Sequence, residues 1–258
     1  MTAILGLTCT DGILMLADTE ESLSQESKSE CDKLRSYLCP NGQVLLGGAG
    51  QSHLVEYAMR HIGLSLLQKR RTWEEIEVDL NVLNRRIFQE TLGPYQGFAA
   101  GVVPEWIDML IAVQSFGQLR LFKWTQTTVI PANTYHTSIG AGVAQMHPML
   151  LDMNFVFSAK AMLLFGVYVM RQTKRIVQSC GGKTEAVALR PDGTRTYFFS
   201  EQTSRVEEFL VALNDYTLGT IWSLVSGISG DEEDFEKTCG SIPADIKHLR
   251  DEYQELLR

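Results

Sequence analysis

The chain has 258 residues, of which 45% are hydrophobic and 21% charged, enough apolar material for one large core or two small ones. A mean hydropathy of -0.05 and this ordinary charged fraction exclude a disordered chain. With 23 Lys and Arg against 31 Asp and Glu the formal net charge is -8, which argues against nucleic acid as a partner, because phosphate binding needs a concentrated positive surface.

Taken in order, residues 3–9 and 12–18 read as a hairpin around Thr10-Asp11-Gly12. The polar stretch Glu20 to Glu30 reads as a loop or edge strand. Short strands at 34–39 and 43–48 flank Pro40-Asn41-Gly42. Gly47-Gly48-Ala49-Gly50 then leads into Leu54, Ala58, Ile62 and Leu66, the spacing of a helix that packs one face. A second helix is predicted from Thr72, as N-cap, to about Thr91, with Gly93-Pro94 as its stop.

Strands return at 106–115, 118–124 and 134–139, followed by the turn Gly140-Ala141-Gly142 and a helix of modest length. Residues 158–179 carry the longest helical pattern, closed by Gly181-Gly182. Strands at 184–190 and 194–199 bracket Pro191-Asp192-Gly193. The tail is predicted helical from 203 to about 226, then a polar linker with the acidic run Asp231 to Asp234. A last amphipathic helix starts at Pro243 and places Ile246, Leu249, Tyr253 and Leu256 on one face. Strands and helices come in blocks without βαβ alternation, so the expected class is α+β, with antiparallel sheets covered by helix layers. The expected organisation is one domain over 1–228, with a linker and helix over 229–258.

Cys9, Cys31, Cys39, Cys180 and Cys239 form an odd, scattered set without a CxxC pair, which points to a reducing compartment. No signal-peptide pattern opens the chain. The longest apolar run, Ala161 to Met170, falls short of the roughly 20 residues of a membrane helix, so a cytoplasmic location is expected. His53, His61, His136, His147 and His248 lack paired metal spacing. Neither a G-x-S-x-G elbow, a G-x-G-x-x-G turn nor a phosphate loop occurs, and no cofactor is expected.

Three stretches carry a resemblance: TAILGLTCTDGILMLADTE from Thr2, then Cys31-Asp32-Lys33-Leu34, then Leu45-Leu46-Gly47-Gly48-Ala49-Gly50. In order and spacing they resemble the N-terminal third of proteasome β-type subunits and their bacterial relatives, which are N-terminal-nucleophile hydrolases. Ser138-Ile139-Gly140-Ala141-Gly142 is similar to that family's later G-S-G turn, and Cys180-Gly181-Gly182 to its S-G-G turn. The resemblance implies a four-layer αββα sandwich and a threonine-type hydrolase acting on a peptide or protein substrate. It also implies self-association into rings and a regulatory partner.

The chemistry follows from the residues. A hydroxyl is a weak nucleophile without a base beside it. Removal of Met1, which a small second residue permits, would leave Thr2 with both groups: Oγ attacks, and the α-amine, with a pKa of about 7.7–8.0, takes the proton. A nearby ammonium would keep that amine neutral, the role the resemblance gives Lys33. Asp18 would pair with Lys33, and the Gly47 N–H would face the developing oxyanion. By the same resemblance Cys31, Leu45 and Ala49 would line the pocket before the scissile bond, which would then suit an apolar or small side chain.

The chain also departs from the family's pattern. Ala141 stands for the Ser of the G-S-G turn, Val177 and Cys180 for an Asp and a Ser that hold the terminal amine, and Glu20 for an Arg. A non-catalytic structural subunit or scaffold of the same fold is therefore the alternative reading.

Overall fold

The computed structural model of the protein describes residues 2–22, 28–91, 107–125, 128–132, 134–151, 153, 155–228 and 232–256. Met1 and the helix stop at Gly93-Pro94 lie outside them. The chain divides into two compact units, residues 1–200 and 201–258.

The Thr10-Asp11-Gly12 turn joins β1 (Ala3–Cys9) to β2 (Gly12–Asp18), paired from Ile4 opposite Ala17 to Cys9 opposite Gly12. Asp11 in this turn accepts from the Ala159 N–H at 2.7 Å, tying the hairpin to the start of a helix. On one side β1 pairs with β10 (His136–Gly140); on the other β2 pairs with β11 (Thr184–Leu189), which pairs with β12 (Arg195–Phe198). The stretch after Asp18 forms a two-stranded ribbon, β3 (Glu20–Ser22) with β4 (Lys28–Glu30). A second five-stranded sheet runs β5 (Leu34–Cys39), β6 (Gly42–Gly50), β7 (Ile107–Ser115), β8 (Gln118–Trp124) and β9 (Val129–Pro131). Every pairing in the two large sheets is antiparallel.

Period-2 alternation explains why these strands are apolar on both faces. In β2, Ile13, Met15 and Ala17 point between the sheets, where they meet Leu45 and Ala49 of β6, Leu110 and Ala112 of β7, and Val187 and Leu189 of β11. The alternate residues face helices. Val44, Leu46, Met109, Ile111 and Val113 pack with Ala58, Ile62, Ile76 and Leu80 from α1 (Ser52–Ser65) and α2 (Trp73–Thr91). On the first sheet, α4 (Ala159–Ile176) lies against β1, β2 and β11, with α3 (Val143–Leu151) beside it. The result is the four-layer αββα sandwich.

Helix ends follow the sequence closely. Thr72 and Glu75 cap α2 reciprocally: Thr72 Oγ1 accepts from the Glu75 N–H at 3.3 Å, and Glu75 Oε2 from the Thr72 N–H at 2.7 Å. Ser158 caps α4, which ends at Ile176 rather than at 179 because Val177 turns to extended backbone.

The second unit corrects the reading of the tail. It holds α5 (Ser200–Ile228) from its second residue on and α6 (Glu232–Leu256), joined by a Tyr216–Asp245 hydrogen bond of 3.0 Å and a Phe209–Tyr253 ring contact at 5.6 Å. Glu232, Glu233 and Asp234 begin α6 instead of forming a linker, and Pro243 lies inside it. Acidic residues suit the positive end of the helix dipole, and a proline inside a helix forfeits one hydrogen bond without always ending it. Ile246, expected on the apolar face, is 57% exposed.

Gly140 closes β10 at φ +86, and a Cβ there would lie 2.1 Å from the Thr2 carbonyl oxygen. Gly117, at φ +74, has no atom within 4 Å of such a Cβ among the described residues. Gly140→Ala should therefore cost more than Gly117→Ala, which carries only the backbone penalty of about 1–3 kcal/mol. Thermal melts of the two variants check this; equal losses would contradict it.

Candidate active site

Thr2 precedes β1 and is fixed through its main chain. Ala3 pairs with Gly140, and the Ala141 N–H donates to the Thr2 carbonyl at 2.8 Å. The alanine in this turn thus holds Thr2 with its backbone, which needs no side-chain hydroxyl.

Asp18 closes β2 and is fully buried. Its Oδ1 accepts from the Ala3 N–H at 2.8 Å and from Lys33 Nζ at 3.0 Å, and its Oδ2 accepts from the Gly181 N–H at 3.2 Å. Lys33 Nζ donates also to the Glu20 carbonyl at 2.5 Å. The Lys33 side chain is 6% exposed, so this is an ion pair withdrawn from water on both sides. Such a pair needs its remaining hydrogen bonds to offset desolvation, and two main-chain N–H groups on Asp18 and the Glu20 carbonyl on Lys33 supply them.

Thr2 and Lys33 line one cavity of about 480 Å³, together with Cys31, Asp32, Arg35, Gly48, Gly50, Gln51, Ser52, His53, Val55, Glu56 and Met59. Of the pocket residues expected from the sequence, Cys31 lies here. Leu45 lines a neighbouring cavity that also reaches Cys31, and Ala49 is buried between the sheets. Gly47 does not line the Thr2 cavity; a Cβ on it would meet Leu34, Met15 and Ile4 between the sheets. The next residue, Gly48, lies on the cavity side.

The first residues of α1 also face the cavity. Its N-cap, Gln51, makes no side-chain cap hydrogen bond and no acid stands in the first turn, so the positive end of the helix is open to a developing negative charge. Sequence reading missed His53, Arg35 and Asp32 as lining residues. Their signal was position alone, flanking Lys33 and the Gly-rich turn.

Cysteine chemistry is disfavoured beside Asp18. Burial and then the Asp18 charge push the Cys180 thiol up to about 11, so it stays protonated near neutral pH. Val177 accepts the Cys180 N–H through its carbonyl and serves as the C-cap of α4.

Glu185, on β11, was not singled out by the sequence. Its Oε1 accepts from the Lys33 N–H at 2.5 Å and from the Leu34 N–H at 2.8 Å. Burial pushes its carboxyl from 4.5 up to about 7, although the two N–H donors pull the other way. Because the folded-state value is raised, the stability linked to this group is full below about pH 4.5 and is lost as pH climbs through about 7.

No family model matches the chain, and no curated protein does. Solved structures do. Anbu from Hyphomicrobium sp. strain MC1 superposes with a TM-score of 0.65 at 13% identity, over 84% of this chain and 97% of that one. Anbu (ancestral beta-subunit) from Yersinia bercovieri gives 0.64 at 15% identity, over 83% and 96%. The helical assembly of the Anbu complex from Pseudomonas aeruginosa gives 0.63 at 15%, over 83% and 95%. This corrects the resemblance to proteasome β-type subunits: these similar structures are Anbu proteins. In this chain the motifs from Thr2 to Gly50 build the first hairpin, the buried ion pair and the entry to α1. Identities of this size show the fold alone.

Removing one partner of the buried pair leaves the other charge uncompensated. Lys33→Met should cost about 3–5 kcal/mol, whereas Asp18→Asn with Lys33→Met together should cost less than the sum of the two. Denaturant melts of both single variants and the double variant measure the coupling; strict additivity would contradict it.

Proposed function

We propose that the protein is an amide hydrolase of the N-terminal threonine type, with Thr2 as nucleophile once Met1 is removed. The observation that carries this reading is that Thr2 and Lys33 share one cavity while Lys33 is held against fully buried Asp18. Thr2 Oγ attacks the amide carbonyl and its proton passes to the Thr2 α-amine, directly or through water. The amine then gives the proton to the leaving nitrogen, and water hydrolyses the ester by the same route. The Lys33 ammonium disfavours a second positive charge on that amine and keeps it available as a base.

The oxyanion falls to Gly48 in this reading, not to Gly47. The Leu34 N–H turns away from β6 to reach Glu185, so its register partner Gly47 directs its own N–H toward β7. Gly48, one residue on, directs its N–H to the opposite edge, the side of the cavity it lines. The open N-terminus of α1 adds to the same field.

Self-association belongs to this reading, supported by the helical assembly among the similar structures. The second reading, a non-catalytic subunit, is favoured by Ala141 and Val177, which offer no side-chain hydrogen-bonding group where the resemblance expects one.

Intact-mass analysis combined with a peptide epoxyketone, which reacts with an N-terminal threonine through both hydroxyl and amine, decides between the readings. The expected result is loss of Met1, stoichiometric labelling of Thr2, and no labelling of Thr2→Ala. Retained Met1, an acetylated terminus, or a processed terminus that does not react would overturn the hydrolase.

A further inference from the structure

We propose that Glu185 is a positioning residue for this site: it fixes the backbone of Lys33 and thereby the place of the ammonium that faces Asp18. The kinetic half of this inference rests on Thr2 as the nucleophile, while its structural half stands on the geometry alone.

Lys33 is gripped at both ends by acids on neighbouring strands. In the pairing of β2 with β11, Asp18 lies opposite Thr184 and Ala17 opposite Glu185. Asp18 takes the tip of the side chain at 3.0 Å, and Glu185 takes the main-chain N–H of the same residue at 2.5 Å. A lysine stem has four rotatable bonds, so a tip held alone would leave the backbone free to shift. The second hydrogen bond, to the Leu34 N–H at 2.8 Å, catches the first residue of β5. Since β11 and β5 belong to different sheets, Glu185 ties the two layers together at Lys33.

A plain structural acceptor would not need to be charged. An amide or hydroxyl oxygen satisfies two N–H groups with less desolvation than a carboxylate does. What the carboxylate adds is negative charge that couples to the Lys33 ammonium at the other end of the residue. The titratable groups around it define that field. Glu185 lines a cavity of about 660 Å³ with Glu30, Asp32, Lys183 and Tyr197, and Lys183 is engaged with Glu30 at 3.7 Å. Asp32 opposes ionisation of Glu185 and Lys33 favours it, while Asp18, paired with Thr184, belongs to the opposite face of the sheet. With its carboxyl pushed to about 7, Glu185 changes charge within the working range of an α-amine base.

Two readouts test this. In protein carrying ¹⁵N-lysine, the buried Lys33 ammonium should give an exchange-protected Nζ signal that moves as pH passes about 7. Glu185→Gln should abolish that step, and Glu185→Ala should broaden or lose the signal. The second readout is epoxyketone labelling of Thr2. Glu185→Gln leaves the two N–H groups an acceptor but removes the charge. It should slow the labelling step by on the order of tenfold with inhibitor affinity unchanged, because the field on the Lys33 ammonium, and through it on the amine, changes. Glu185→Ala, which also frees the Lys33 backbone, should slow it further. A purely structural role would lower the melting temperature and leave the labelling rate of the folded protein as it was. A Lys33 signal in the native protein that ignores pH, or a Glu185→Gln protein that keeps both the pH step and the native rate, would overturn the proposal. If native protein fails to label at all, the nucleophile reading falls, and the Lys33 signal still decides the role of Glu185.

Discussion

The structure around Thr2 depends on one largely buried ion pair, Asp18 with Lys33. Asp18 is fully buried, and the groups that bond it come from three separate places: the first residue of β1, the lysine ahead of β5, and the turn after α4. A buried pair of this kind contributes little net stability compared with apolar side chains of the same size. What it contributes is placement. Lys33 Nζ meets both Asp18 and the Glu20 carbonyl, and Lys33 lines the same cavity as Thr2.

The hydrophobic layers make this placement rigid. Ile4, Met15, Ala17 and Leu34 pack between the sheets, and they fix β2, which ends on Asp18, and the start of β5, which follows Lys33. At the edge, Gly140 lets the Thr2 carbonyl come closer than any side chain would allow, and Ala141 completes the contact with its N–H. A site built on strand ends and main-chain hydrogen bonds keeps its geometry when supporting side chains change. That bears on the substitutions at Ala141 and Val177, where main-chain groups make contacts that side chains do not.

Much of this was legible in the sequence because it is local. The turns at Thr10-Asp11-Gly12, Pro40-Asn41-Gly42 and Pro191-Asp192-Gly193, the Thr72 cap and the spacing from Leu54 to Ile62 each depend on residues a few positions apart. Asp18 and Lys33 were found through resemblance, since nothing in either residue alone announces the pair. Glu185 was invisible because its partners lie 152 and 151 positions away, and only the stacking of the two sheets joins them. The choice between Gly47 and Gly48 turns on a period of two, where a shift of one residue reverses the face and the direction of the N–H. At the tail, the preference of prolines for first turns makes Pro243 look like a helix start, whereas the helix runs through it.

The most direct measurement is a crystal structure of the protein reacted with a peptide aldehyde. The account predicts a hemiacetal bond from Thr2 Oγ, its oxygen within hydrogen-bond distance of the Gly48 N–H, and Lys33 still paired with Asp18. An adduct on the Cys31 thiol, or a hemiacetal oxygen turned away from β6 and α1, would contradict it.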